Sequence, residues 1–136
     1  AGAGVIGLAN TAGAALFDLS DVPVLIDSGA EVIAGSTRLG AATAQKAALN
    51  MISVLVGVRL GAVHDGYMVN LIADNIKLID RIVSAVAGVD DAAARAALQA
   101  TEGAVKPAIL VARGLTFDAA VTALTASGGK LDPYLN

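Results

Sequence analysis

The sequence predicts an α/β protein, with a parallel sheet at its start and a small helical bundle at its end. Three observations point there. Two short apolar runs with β-branching read as strands covered on both faces. Two long stretches carry apolar residues at helical spacing. The remainder repeats itself with helix stops and starts at equivalent places.

Taken in order, Gly4–Ala9 (GVIGLA) is the first strand, followed by the small-residue turn Asn10-Thr11-Ala12-Gly13. Ala14–Ser20 has the length of a short helix or a turn-rich crossover. Val22–Ile26 (VPVLI) is the second strand, where Pro23, lacking an N–H, demands an edge or a strand start. A long helix is expected from about Arg38 to Leu60, with Ser36 or Thr37 as its cap and Gly61 as its stop. Leu39, Ala42, Leu49, Ile52, Val56 and Leu60 form its apolar side. Asp65 is expected to open a second long helix reaching Val86, with Met68, Leu71, Leu78, Ile82 and Val86 inward and Gly88 as its stop.

Beyond it, aligning Val89 with Leu115 pairs Ala93 with Ala119, Ala94 with Ala120, Ala97 with Ala123, Leu98 with Leu124, Ala100 with Ala126, Gly103 with Gly129 and Pro107 with Pro133. The repeated Gly-x-x-x-Pro spacing sets a helix stop and a helix start twice. Two helix–turn–helix units, 89–113 and 115–136, follow. The expected domains are therefore 1–87, the back part of a sheet domain, and 88–136, a helical tail. Two strands alone make a poor covered sheet, so the missing front of that sheet is expected from elsewhere, either more of the same polypeptide or another chain.

Composition narrows the chemistry. Of 136 residues, 30 are Ala and 15 are Gly, and there is no Trp, so the core falls to Leu, Ile, Val and Ala. With no Cys and one His, the chain offers no disulfide, no thiol nucleophile and no multi-histidine metal centre. A formal charge of −3 without a basic cluster argues against nucleic acid. A hydrophobic content of 56% excludes disorder. Mean hydropathy is high at +0.71, yet charges are expected to break each apolar run before the ~20 residues a bilayer requires. No membrane association is expected.

Only residues 29–52, GAEVIAGSTRLGAATAQKAALNMI, carry more detail than packing needs. Gly35-Ser36-Thr37-Arg38 gathers backbone N–H groups, two hydroxyls and a guanidinium at a helix start, which suits a carboxylate or phosphate oxygen, or serves as an ordinary cap beside a surface Arg. Thr43, Lys46, Asn50, Ser53 and Gly57 share one helix face, either a ligand face or a close helix contact. Glu31 follows the second strand's carboxyl end, where open α/β sheets place ligands. It could be an acid, a base, a hydroxyl acceptor or a plain loop residue. His64 reads as a solvent-exposed turn residue. Asn70, Asp74, Lys77 and Arg81 read as a solvated or subunit-facing stripe.

The stretch closely resembles the signature of the N-acetylmuramic acid 6-phosphate etherase and glucokinase-regulatory-protein family, built on the sugar isomerase (SIS) fold. The matching residues are Gly29, Glu31, Gly35, Ser36, Thr37, Arg38, Leu39, Thr43, Ala44, Gln45, Lys46, Leu49 and Asn50. Asn10, Arg59-Leu60-Gly61, Met68-Val69, Asn75 and Lys77-Leu78 extend the likeness, and 89–136 looks like the family's ubiquitin-associated-like tail. The chain departs at Ala30, Gly40 and Ala42, where the pattern has proline, lysine and glycine.

The resemblance implies the carboxy-terminal part of a SIS-type parallel-sheet sandwich with that helical tail. It also implies a cytoplasmic homodimeric lyase of peptidoglycan recycling that acts on a phosphorylated amino sugar without metal or organic cofactor. Substrate-binding residues implied here are Glu31, Ser36, Thr37, Arg38, Lys46 and Asn50. The family's acid–base glutamates are expected upstream of this chain, leaving Glu31 an auxiliary role. A non-catalytic sugar-phosphate sensor and a dimerisation or interaction module are the alternatives.

Overall fold

The computed structural model describes residues 2–72 and 76–135, excepting the side chains of 76–78. The expected matches at Asn75, Lys77 and Leu78, and the Asp74 and Lys77 members of the polar stripe, lie outside what is described. Helices and strands are mixed, as an α/β sequence requires. The chain divides into two compact units, 1–54 and 55–136, rather than at 87/88.

In the first unit, strands β1 (Ile6–Ala9) and β2 (Val22–Leu25) pair in parallel, Ile6 opposite Val22 and Ala9 opposite Leu25. Both are shorter than the apolar runs that encode them. A 3₁₀ turn, Phe17–Leu19, makes the crossover. Gly7 is required where that crossover passes over β1, because a Cβ there would collide with the side chain of Ser20. Val22 and Ile26 donate to Val5 and Ala9, so the alternate residue Pro23 turns its missing N–H away from β1. Ile6, Val22 and Leu25 are each about half exposed, so the described residues do not supply the two-sided cover the strands were expected to have.

Helix α1 spans Gly40–Arg59. It starts two residues later than expected, and neither Ser36 nor Thr37 caps it through its side chain. None of its residues is buried. Leu39, Leu49, Ile52 and Val56, expected to face a core, are 55%, 57%, 37% and 49% exposed. The helix is long and apolar enough to cross a membrane by composition alone. Lys46 lies inside it and divides the apolar stretch, as the sequence leads one to expect.

After the end of α1, a hairpin stands where a helix was expected. Strands β3 (Val63–His64) and β4 (Tyr67–Met68) are antiparallel around Asp65-Gly66. Both turn residues have positive φ, 47° and 78°, the two-residue turn that Asp-Gly favours because its twist matches the strands. Helix α2 is consequently only Ile76–Ala87, and Met68 is half exposed rather than inward.

Four helices follow: α3 (Asp91–Ala100), α4 (Val105–Ala112), α5 (Phe117–Ala126) and α6 (Asp132–Leu135). Ile79, Val83, Leu98, Val105, Ile109, Leu110 and Leu131 join Val69 in one core. Helix α2 therefore packs with the helices that follow it. The repeat extends to individual bonds. Asp90 and Thr116 cap α3 and α5 by accepting from Ala93 and Ala119. Gly103 and Gly129, both at φ 81°, donate to Leu98 and Leu124 at 2.8 and 2.7 Å. Thr101 and Ser127 hydroxyls donate onward to the Ala104 and Lys130 carbonyls.

Candidate functional site

In the first unit a cleft of about 310 Å³ opens where β1 ends and α1 begins, lined by Leu8, Asn10, Thr11, Thr37, Ala42 and Gln45 among others. This is the carboxyl end of a parallel pair, the position where open α/β sheets hold ligands. Asn10 fixes one wall: its side-chain amide donates to the Ile26 carbonyl at 2.9 Å. That bond ties the end of β1 to the end of β2 and sets the direction in which both loops leave the sheet.

Glu31 fixes the other wall. Its Oε2 accepts the Gly40 N–H and its Oε1 the Ala41 N–H, each at 2.9 Å. The first turn of an α-helix leaves its N–H groups without intrahelical partners, and the positive end of the helix dipole favours an anion there. One carboxylate, nine residues upstream, answers both requirements. The Ala41 and Gly40 N–H groups hold its carboxyl below the usual carboxylate range, against a smaller opposing effect of burial. The intervening loop is closed as a ring. Within it Ser36 donates its N–H to Ile33 at 3.0 Å, and the Thr37 carbonyl accepts from Ala42 at 3.0 Å.

The structure thus sorts the sequence-derived residues. Thr37 lines the cleft. Ser36 is half-buried in the adjoining turn, and Arg38 is exposed beside it. Lys46 and Asn50 are exposed on α1 and are not among the residues lining the cleft. Glu31 stands behind the helix start with both oxygens engaged. Sequence reasoning had not chosen Asn10, Thr11 and Gln45 as site residues. The signal was present for the first two, a polar pair directly after an apolar strand.

The cleft can offer hydroxyl and amide groups close to a helix start, which suits polar oxygens of a ligand. No carboxylate lines it, and among the described residues no cluster of metal-ligating side chains occurs.

His64 is no exposed turn residue. It lies in β3 opposite Tyr67, its side chain is 15% exposed, and Nδ1 sits 3.5 Å from an Asp132 carboxylate oxygen.

No protein-family model matches the chain. Curated relatives do. The N-acetylmuramic acid 6-phosphate etherase of Deinococcus radiodurans is 47% identical over 133 residues, 95% of this chain and 44% of that protein. The protein of the same name from Mycolicibacterium smegmatis is 38% identical over 135 residues, 96% of this chain and 45% of its own length. One from Pectobacterium atrosepticum is 50% identical over 86 residues, or 61% and 28%. The chain spans less than half the length of these relatives.

Proposed function

We propose that this chain, 47% identical over 95% of its length to an N-acetylmuramic acid 6-phosphate etherase, is the carboxy-terminal part of such a lyase and builds one wall of the sugar-phosphate site. The observation that carries this reading is the cleft at the end of β1. Asn10, Thr11, Thr37 and Gln45 meet there beside a helix start that Glu31 holds.

The reaction is cleavage of the D-lactyl ether, in which one water enters and N-acetylglucosamine 6-phosphate and D-lactate leave. A base removes the proton alpha to the open-chain aldehyde, an acid protonates the departing lactate oxygen, and water adds to the resulting double bond. That work takes two carboxylates with separated proton affinities. Glu31 is committed to the helix start, and no carboxylate is among the residues lining the cleft. On the family resemblance, both acid–base groups are supplied from upstream of this chain, by the same polypeptide or by another. On this reading Thr37 and Ser36 meet sugar or phosphate oxygens, and Arg38, Lys46 and Asn50 border the substrate from outside the cleft. No cofactor is needed.

The half-exposed strand faces and the apolar surface of α1 suit cover by the remaining sheet of a SIS-type sandwich and by a second subunit in a cytoplasmic homodimer. The second unit then serves as the ubiquitin-associated-like tail. A non-catalytic sugar-phosphate sensor is the competing reading, favoured by the absence of a carboxylate in the cleft and by Gly40 where the family pattern has lysine.

Lactate release by the full-length protein decides between them. We expect turnover of N-acetylmuramic acid 6-phosphate, with Thr37→Val raising KM about tenfold, the worth of one hydrogen bond to a charged group. Tight sugar-phosphate binding without lactate release would establish the sensor.

A further inference from the structure

Lys106, in the first turn of α4, is 9% exposed. A buried ammonium is stable only where its charge is matched or its donors are filled. Lys106 has half of this. Its Nζ donates to the Gly129 carbonyl at 2.7 Å, an approach helped by Gly129, whose missing Cβ would stand 3.4 Å from Nζ. Among the described residues, that neutral carbonyl is the hydrogen-bond partner of the ammonium, and neither the Arg95–Asp80 ion pair nor the His64–Asp132 contact involves Lys106.

The same lysine lines a cleft of about 470 Å³ within the second unit, shared with Val69, Asn70, Pro107, Leu124 and Gly129. The first turn of α4 borders it, with no side-chain cap on that helix. Burial also pushes the amine below its ordinary pKa, which is the response of a cation lacking a counter-charge.

We propose that this cleft binds a small organic carboxylate, its anionic end on the Lys106 ammonium and its apolar body against Leu71, Ile72 and Pro107. One ammonium matches one negative charge, and the apolar walls favour a carboxylate with a short hydrocarbon tail over a dianionic phosphate. This site uses none of the residues of the β1 cleft and stands independently of the etherase reading.

Titration of the 136-residue chain with sodium propionate, followed by the backbone amide signals of Asn70, Gly129 and Leu131, tests it. The expected result is a saturable shift that weakens at least about tenfold in Lys106→Gln, which keeps a donor for Gly129 but no charge. Equal, non-saturating shifts in both proteins would overturn the proposal, as would saturation by inorganic phosphate but not by propionate. In the unmutated chain, propionate should also slow acylation of the Lys106 amine relative to chloride at equal ionic strength. An unchanged rate would overturn it without relying on any variant.

Discussion

At the scale of single residues, Glu31 decides how the loop between β2 and α1 is held. A carboxylate that accepts two N–H bonds must be ionised to accept both, so the clasp depends on pH. The folded pKa is lowered; such a group contributes stability above its unfolded pKa, near 4.3, and loses it as pH falls through the lower folded value. We expect the Gly40 and Ala41 amides to be protected from hydrogen exchange without change from neutral pH to about 5. Below that, protection in excess of the intrinsic exchange trend should fall. Glu31→Gln, left with one acceptor oxygen, should give an intermediate and pH-independent protection, and Glu31→Ala the least. Protection that stays level through the acid range in the unmutated chain would contradict the clasp. The sequence places Glu31 after the second strand; its contact with the helix start is seen only in the structure. A contact closed over nine residues has no periodic signature, whereas Ser36 and Thr37 stand where local capping rules look first.

At the scale of elements, the parallel pair and the helical repeat were legible and the hairpin was not. Apolar β-branched runs and the Gly-x-x-x-Pro spacing report backbone demands directly. Between Asp65 and Val86, however, Met68, Leu71, Leu78, Ile82 and Val86 fall at helical intervals whether or not the first two are helical. Strands of two residues are too short to show alternation. The Asp65-Gly66 pair was the available clue. Gly66, at φ 78°, has open space where a Cβ would stand, so Gly66→Ala costs only the left-handed backbone penalty of about 1–2 kcal/mol. Urea unfolding should read that loss. A neutral or stabilising result would mean that the turn is not of this type.

Across the whole molecule, apolar side chains have two fates that composition cannot separate. Ile109 is fully buried while Leu55 is 63% exposed, though each sits in a comparably apolar run. Truncating Ile109 to Ala should cost about 2–5 kcal/mol, and Leu55→Ala less than about 0.5 kcal/mol, compared by denaturant midpoint in the 136-residue chain. Equal losses would show that α1 is covered in solution. The assignment of α2 has the same physical basis. Helix α2 shares its apolar spacing with a sheet-covering helix, and only its contacts with Leu98, Val105 and Ile109 in one core assign it to the bundle.

The twofold writing of the α3 and α5 endings has a practical corollary. Leu98 to Ala104 and Leu124 to Lys130 close through the same three donor–acceptor pairs at the same glycine angle. We expect a chimera carrying either segment at both places to assemble the bundle with its helices in register.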